Sequence, residues 1–155
     1  MSSPAPVAAV ATFVVRIPGE PCGQGRPRAF KTPQGFIRTY DPKKSRNWKA
    51  AARDVMVQAL AGGAILHPVG PLEVHLLAIF SCPPSQYRKR DPWPRRWHAK
   101  RPDAENVCKA VLDAGTGVLW SDDAQIAQLF VTKAIGAQGE SPYVEVRVGP
   151  LGSFP

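Results

Sequence analysis

The sequence predicts a single α/β (α+β) domain, in which a mixed sheet of about four strands packs against two main helices. Short β-branched or alternating apolar runs lie near both ends and in the middle of the chain, and two segments carry apolar residues at helical spacing. Gly- and Pro-rich stretches separate these runs. A chain of 155 residues is long enough for one domain with its own core.

We expect this domain to span residues 11–149, between a disordered N-terminal tip at residues 1–10 and a loose tail at residues 150–155. No Lys or Arg precedes the apolar N-terminal residues, which is unlike a signal peptide, and no run reaches the roughly eighteen apolar residues of a membrane span. Three cysteines without CxxC spacing favour reduced thiols and a cytoplasmic protein, and neither they nor the scattered histidines suggest a zinc site.

The predicted elements follow the chain in order. Residues 11–17 form a short β-branched strand that ends at Pro18-Gly19, and a small hairpin is expected about Pro33-Gln34-Gly35. Residues 45–60 predict a helix with Ser45 as N-cap and Gly62-Gly63 as its stop. Its apolar stripe is best explained as core: Trp48, Ala52, Val55, Met56 and Leu60.

Three further strands are predicted downstream. Residues 70–80 become wholly apolar, as expected of a central strand, and His75 is interpreted as a packed strand histidine because no second histidine lies at ligand spacing. Residues 126–131 and 143–148 complete the sheet, and the last segment alternates as an edge or hairpin strand should. Lys133 is interpreted as a solvated strand lysine in preference to a DNA contact.

Two basic segments, residues 19–44 and 81–101, lie between these elements, and the net charge of +8 favours a polyanionic partner. The simpler interpretation is solvated loops, with the tryptophans of the second covering an apolar edge. The functional interpretation is nucleic-acid binding, with arginines on phosphates and Tyr87, Trp93 and Trp97 on exposed bases. We assign the phosphate contacts to eight residues: Arg26, Arg28, Lys43, Lys44, Arg95, Arg96, Lys100 and Arg101.

The most informative stretch is residues 100–125. A helix at residues 104–114 places Glu105 and Lys109 on a polar face, with Asp103 before it as a natural N-cap. A second acidic pair, Asp122 and Asp123, follows a glycine-rich turn. Capping explains Asp103 alone, and a surface ion pair worth about 0.2–0.5 kcal/mol explains Glu105 and Lys109. The second acidic pair is explained by neither, whereas carboxylates brought together from separate elements would suit a hard divalent cation.

The run RPDAENVCKAVLDAG at residues 101–115, followed by VLWSDDAQI at residues 118–126, resembles the signature of the RusA family of Holliday junction resolvases. That signature reads approximately basic-Pro-Asp-x-Asp-Asn-x-x-Lys-x-x-x-Asp-x-Leu, then a short turn and Trp-x-Asp-Asp-Ala-Gln-Val. The segment GEPCGQGRPR at residues 19–28 also resembles the opening seen in many members. The chain departs from the family at Glu105, where aspartate is usual, and we expect activity to be retained because glutamate also coordinates divalent cations.

The resemblance implies a Mg²⁺-dependent endodeoxyribonuclease, with Mn²⁺ as a possible substitute, in which Asp103, Glu105, Lys109 and Asp123 are catalytic. The metal ligands would be Asp103, Glu105 and Asp123, with Asp122 as a further ligand or an outer partner. Because one helix face supplies too few ligands, we expect the 122–123 turn to fold back onto the N-terminus of the predicted helix.

The resemblance also implies a homodimer that makes paired symmetric nicks in a four-way junction, for which no residue pattern independently argues. Family members are often encoded by phages. Two alternatives stay open: a nuclease for flaps or other branched DNA, and a non-catalytic protein that binds branched DNA through its basic loops alone.

Overall fold

The computed structural model describes residues 12–61 and 69–152. The predicted N-terminal tip, the Gly62-Gly63 helix stop and the last three residues of the tail lie outside the described residues. In chain order the elements are β1 (Phe13–Pro18), β2 (Arg28–Lys31), β3 (Ile37–Tyr40), α1 (Lys43–Ala61), β4 (Leu72–Phe80), β5 (Arg96–Trp97), α2 (Ala104–Gly115), β6 (Ile126–Ile135) and β7 (Tyr143–Pro150).

The main sheet has five strands in the order β1-β7-β4-β6-β5. Strands β4 and β6 are parallel and the other pairs are antiparallel, so the predicted mixed sheet and α+β class are confirmed. The strand beyond the predicted four is β5, whose two residues are too few to show a periodicity. Strands β2 and β3 form a separate hairpin around the predicted turn.

Both helices belong to one hydrophobic core with the inward residues of β1, β4 and β7. Ala52 and Met56 of α1 are fully buried, which confirms the core interpretation of its stripe. The predicted Ser45 N-cap is wrong, because α1 begins at Lys43. The Ser45 hydroxyl lies in the first turn and donates to the Pro42 carbonyl (3.1 Å), the local back-bond typical of serine inside a helix.

The C-terminal end of α2 is held by two contacts. Gly115 closes the helix one residue later than predicted, with the fully buried Trp120 ring against it; a Cβ at Gly115 would lie 2.7 Å from two ring carbons. Arg53 of α1 donates to the Thr116 carbonyl (2.7 Å) and so binds one of the carbonyls at the end of α2, which a helix leaves without an internal partner.

The strand registers define two ends of the sheet, and α2 runs from one to the other. The upper end carries Pro18, Tyr143 and Ile135, and the lower end carries Leu72 and Ile126. Helix α2 starts at the upper end, where the Lys133 ammonium donates to carbonyls of the segment before the helix. It ends at the lower end, beside Trp120 and the turn that leads into β6. No helix in residues 12–61 and 69–152 is long and apolar enough to cross a membrane.

Candidate active site

A polar groove of about 740 Å³ opens at the N-terminus of α2. Its walls are the loop after β1, the first turn of α1 and the segment that leads into α2. The polar and charged residues that line it are Gln24, Arg26, Lys44, Arg101, Asp103 and Asn106. Three cations and one carboxylate at a helix N-terminus make this groove suited to a phosphodiester.

A close backbone approach builds the groove. A Cβ at Gly23 would lie 2.7 Å from the Cβ of Pro102, so only glycine lets the loop lie against the start of α2. The Gln24 N–H donates to the Asn106 carbonyl (2.8 Å), which fixes the loop on the first turn of the helix. Arg26 lies two residues after Gln24 in the same loop, and its side chain therefore lines the groove.

Asp103 occupies the N-cap position of α2, as predicted from its place after Pro102. Its backbone is extended (φ −65°, ψ 149°), but its side chain makes no capping hydrogen bond. The carboxylate is exposed at the groove, where the helix dipole favours negative charge. Capping therefore does not occupy this carboxylate, which leaves its oxygens available to a cation.

Glu105 and Lys109 form the predicted i,i+4 pair on the exposed face of α2, with 2.9 Å between Oε1 and Nζ. The side chains are 77% and 57% exposed, so the pair contributes little to stability. Its hydrogen bond and positive charge hold the pKa of Glu105 below its ordinary value, and Glu105 raises the pKa of Lys109. The pair thus keeps an ionised carboxylate two residues from Asp103.

Replacing Lys109 by methionine is expected to raise the pKa of Glu105 towards its ordinary value. The sign follows from the cause: the ammonium favours the ionised carboxylate, so its loss lets Glu105 take up a proton at higher pH. NMR titration of the Glu105 side-chain carboxyl carbon measures this directly. Lys109→Arg, which retains the charge, should keep the pKa low, and a titration identical in all three proteins would contradict the coupling.

The second acidic pair lies in the turn before β6, and its two members differ. The Asp122 carboxylate accepts from the Ala124 N–H (2.9 Å) and caps the short 3-10 turn Asp123–Gln125, with the Gln125 side chain closing the capping box. The hydrogen bond from Ala124, followed by one with the Asp123 carboxyl, lowers the pKa of Asp122. Asp122 therefore has a structural role in the turn, which leaves exposed Asp123 as the stronger candidate ligand of the two.

The two acidic pairs do not meet within one chain. Asp103 and Glu105 lie at the upper end of the sheet, whereas the 122–123 turn lies at the lower end, where the Gln125 amide donates to Gly70 just before β4. In the part of the chain that the structure describes, no three His, Cys, Asp or Glu side chains are grouped so that they could hold a metal ion. The predicted folding of this turn onto the N-terminus of α2 is therefore wrong, because the whole length of α2 separates them.

The predicted phosphate-binding residues divide into two groups. Arg26, Lys44 and Arg101 line the groove, and Arg28, Lys43 and Lys100 are exposed nearby in sequence. By contrast, Arg95 donates from Nε to Glu140 (3.0 Å) and from Nη2 to the Tyr143 hydroxyl (3.0 Å), and Arg96 donates to the Gln86 side chain. Arg95 and Arg96 thus have structural partners, and their DNA contacts stay a prediction.

The aromatic residues of the 81–101 segment also differ from one another. The guanidinium groups of Arg88 and Arg96 lie over the Trp93 ring, 3.9 Å and 4.6 Å from its centroid, and the ring Nε1 donates to the Gln86 carbonyl (3.0 Å). This ring holds the loop together through polar and cationic partners, and the covering of an apolar edge by the tryptophans stays a prediction. Trp97 is 81% exposed and Tyr87 is also exposed, so these two remain accessible to a base.

Two residues that position the site were not singled out from the sequence. Gly23 permits the loop to approach α2, and Lys133 donates to the Lys100 carbonyl (2.7 Å) and to the Pro102 carbonyl. Lys133 was interpreted as a solvated lysine, and its role follows only from the packing of the end of β6 against the 100–102 segment. The glycines of residues 19–28 were a visible signal for a close approach.

The chain was compared with known proteins. Residues 18–149 match the family model described as "Endodeoxyribonuclease RusA". The chain is also similar to the "Uncharacterized protein YqaN" of Bacillus subtilis (strain 168), with 30% identity over 133 residues that cover 84% of this chain and 90% of that relative. The family match includes the groove, α2 and all of the main sheet except most of β1 and the last residue of β7.

Proposed function

This chain belongs to the RusA family of endodeoxyribonucleases, and from that premise we propose that it resolves four-way DNA (Holliday) junctions by paired symmetric nicks. The observation that carries the proposal is the groove at the start of α2, where Asp103 faces the same space as Arg26, Lys44 and Arg101. The phosphates of a DNA backbone would bind to these cations, and a scissile phosphate held among them would lie near the Asp103 carboxylate.

The side chains in and around the groove have different roles in the proposed reaction. Arg26, Lys44 and Arg101 bind the phosphates that flank the scissile bond, and Lys109 keeps Glu105 ionised. Lys133 positions the segment that carries Arg101 into the groove by binding the carbonyls on either side of it. Exposed Trp97 lies in β5, next to this segment, and would stack on a base made accessible at the branch point.

The proposed cofactor is Mg²⁺, with Mn²⁺ as a substitute, because the exposed groups are carboxylates and hard cations prefer oxygen ligands. When bound, such an ion would activate water and stabilise charge on the phosphate. One chain places only Asp103 and Glu105 of the predicted ligands at the start of α2, so the three-ligand set does not fit within a single copy.

The test is cleavage of a synthetic four-way junction that is labelled on each strand in turn, with Mg²⁺, against a linear duplex and a flap of the same sequence. Paired nicks at symmetric positions in the junction are expected. A preference for the flap would instead make the protein a nuclease for other branched DNA. Tight binding of the junction without nicking in Mg²⁺ or Mn²⁺ would make it a binding protein and contradict the proposal.

A further inference from the structure

We propose that the hairpin of β2 and β3 carries a base-stacking surface that lets the protein distinguish branched DNA from continuous duplex. This stacking face consists of Arg28, Phe30, Arg38 and Tyr40. The inference rests on the proposed function, because it concerns recognition of the same substrate. It adds contacts to bases from an element that the groove and Trp97 do not include.

The hairpin stands apart from the hydrophobic core. Every residue of its two strands is exposed, and neither core cluster of the described residues includes any of them. Four large apolar side chains of the hairpin are nevertheless exposed: Phe30 (48%), Phe36 (70%), Ile37 (75%) and Tyr40 (42%). A lone two-stranded hairpin is only marginally stable in water, and clustered exposed apolar side chains mark an interaction site. These side chains therefore call for a binding partner.

The strand register places rings and guanidinium groups on one face of the hairpin. Arg28 pairs with Tyr40, and Phe30 pairs with Arg38. Since side chains alternate along a strand and cross-strand partners share a face, these four side chains lie on the same side. The Phe30 and Tyr40 rings meet edge to face, with centroids 5.9 Å apart. The stacking face thus combines rings that suit base faces with cations that suit phosphates.

The charge of the hairpin indicates that the partner is a nucleic acid. Residues 21–40 contain no Asp or Glu, and the cations of the two strands are Arg28, Lys31 and Arg38. Among the ion pairs of residues 12–61 and 69–152, none involves these three side chains. A basic surface with exposed rings is complementary to a polyanion that presents ring faces of its own.

The stacking face lies within reach of the groove. Phe30 lies four residues after Arg26, which lines the groove. Tyr40 lies four residues before Lys44, which also lines it. A chain extends by at most about 3.6 Å per residue, so each of these Cα atoms lies no more than about 14 Å from that of a groove residue. A strand whose phosphate is bound in the groove therefore has its neighbouring nucleotides close to the stacking face.

Both ends of the hairpin are held in place. A Cβ at Gly25 would lie 2.5 Å from the Cγ of Pro42, so glycine allows the incoming and outgoing segments to touch. Lys49 of α1 binds Asp41 (2.6 Å) and also Asp113 of α2 (3.3 Å). The base of the hairpin is thereby fixed to both helices before DNA binds, which lowers the ordering cost of binding.

Base faces are accessible at a branch point and covered in a duplex. In continuous duplex each internal base pair is covered on both sides by its neighbours, whereas strand exchange at a four-way junction interrupts this stack. Phosphates are present in both DNAs and carry no such difference. The rings of the stacking face should therefore contribute to junction affinity and not to duplex affinity.

The test is the ratio of the duplex to the junction dissociation constant, measured by fluorescence anisotropy in Ca²⁺ with DNAs of the same sequence. The ringless variant, Phe30→Leu with Tyr40→Leu, keeps apolar bulk at both positions. Its ratio should fall at least about fivefold, the lower limit for one stacked base. Phe30→Trp retains a ring and should keep the ratio.

Two controls separate stacking from other effects. Arg38→Gln should weaken binding of both DNAs alike and lower the slope of log Kd against log salt by about one, as loss of a phosphate contact does. Val57→Ala removes part of an exposed apolar side chain of α1 and should change neither affinity.

The inference is overturned if the ringless variant keeps the wild-type ratio, or if the wild type binds junction and duplex equally. Because binding is measured without cleavage, these outcomes differ from failure of the proposed function. Selective junction binding that is lost in the ringless variant would uphold the stacking face even if the wild type made no nicks. Paired nicking with an unchanged ratio would reject the stacking face alone.

Two further measurements identify what covers the face. A junction with 2-aminopurine beside the crossover should change its fluorescence when saturated with wild type and not when saturated with the ringless variant. Sedimentation of the free proteins should give the same mass for both. A lower mass for the ringless variant would assign the hairpin to contact between copies of the chain and overturn the inference.

Discussion

Replacing Asp103 by asparagine is expected to reduce junction cleavage at least a hundredfold while junction binding and thermal unfolding stay unchanged. The substitution removes a charge and keeps the shape. Loss of an outer partner of a metal ligand costs roughly 10–100-fold, and loss of a direct ligand should cost more. Stability should not change, because the Asp103 side chain is exposed and makes no capping hydrogen bond.

The measurement is single-turnover cleavage of the four-way junction, together with its dissociation constant in Ca²⁺ and a urea unfolding curve. Asp54→Asn is the matched control, since Asp54 is also an exposed helical carboxylate but lies in α1 and outside the groove. The control should cleave at the wild-type rate. Cleavage by Asp103→Asn within a few-fold of wild type would remove this residue from the chemistry, and a parallel loss of binding would assign it to DNA recognition.

The parts of the fold that follow from local periodicity were predictable. Residues 104–114 alternate polar and apolar positions at helical spacing, and the structure has α2 at Ala104–Gly115 with its apolar side in the core. The strand at residues 70–80 is predictable because its last three residues, Ala78, Ile79 and Phe80, are all buried, and burial on both faces gives a continuous apolar run. Such patterns arise because the polarity of each side chain reflects whether that position is buried.

The distance between the acidic pairs was not predictable in the same way. The spacing of Asp103 and Asp123 along the chain allows the 122–123 turn to lie either at the start of α2 or beyond its end. Only the direction of α2 relative to β6 determines which of the two occurs. That direction depends on contacts far apart in sequence, such as Lys133 with the 100–102 segment and Arg53 with Thr116. A periodicity cannot report these contacts, so the residue pattern indicates candidate ligands and leaves the distance between them undetermined.

Replacing Trp120 by alanine is expected to lower the free energy of unfolding by about 3–5 kcal/mol, the usual cost of removing a large buried ring. The side chain is fully buried against Gly115, and its Nε1 donates to the Thr116 hydroxyl (3.2 Å). The variant therefore loses both packing and a partly buried hydrogen bond. Urea unfolding followed by circular dichroism measures the change.

Trp97→Ala is the matched control, since this ring is 81% exposed and its loss should change the free energy of unfolding by about 0.5 kcal/mol or less. For junction affinity the order should reverse: loss of a base-stacking ring costs about 1–3 kcal/mol of binding, whereas folded Trp120→Ala should bind as the wild type does. If the two variants lost stability and affinity in the same proportion, the division between a structural and a DNA-facing tryptophan would be wrong.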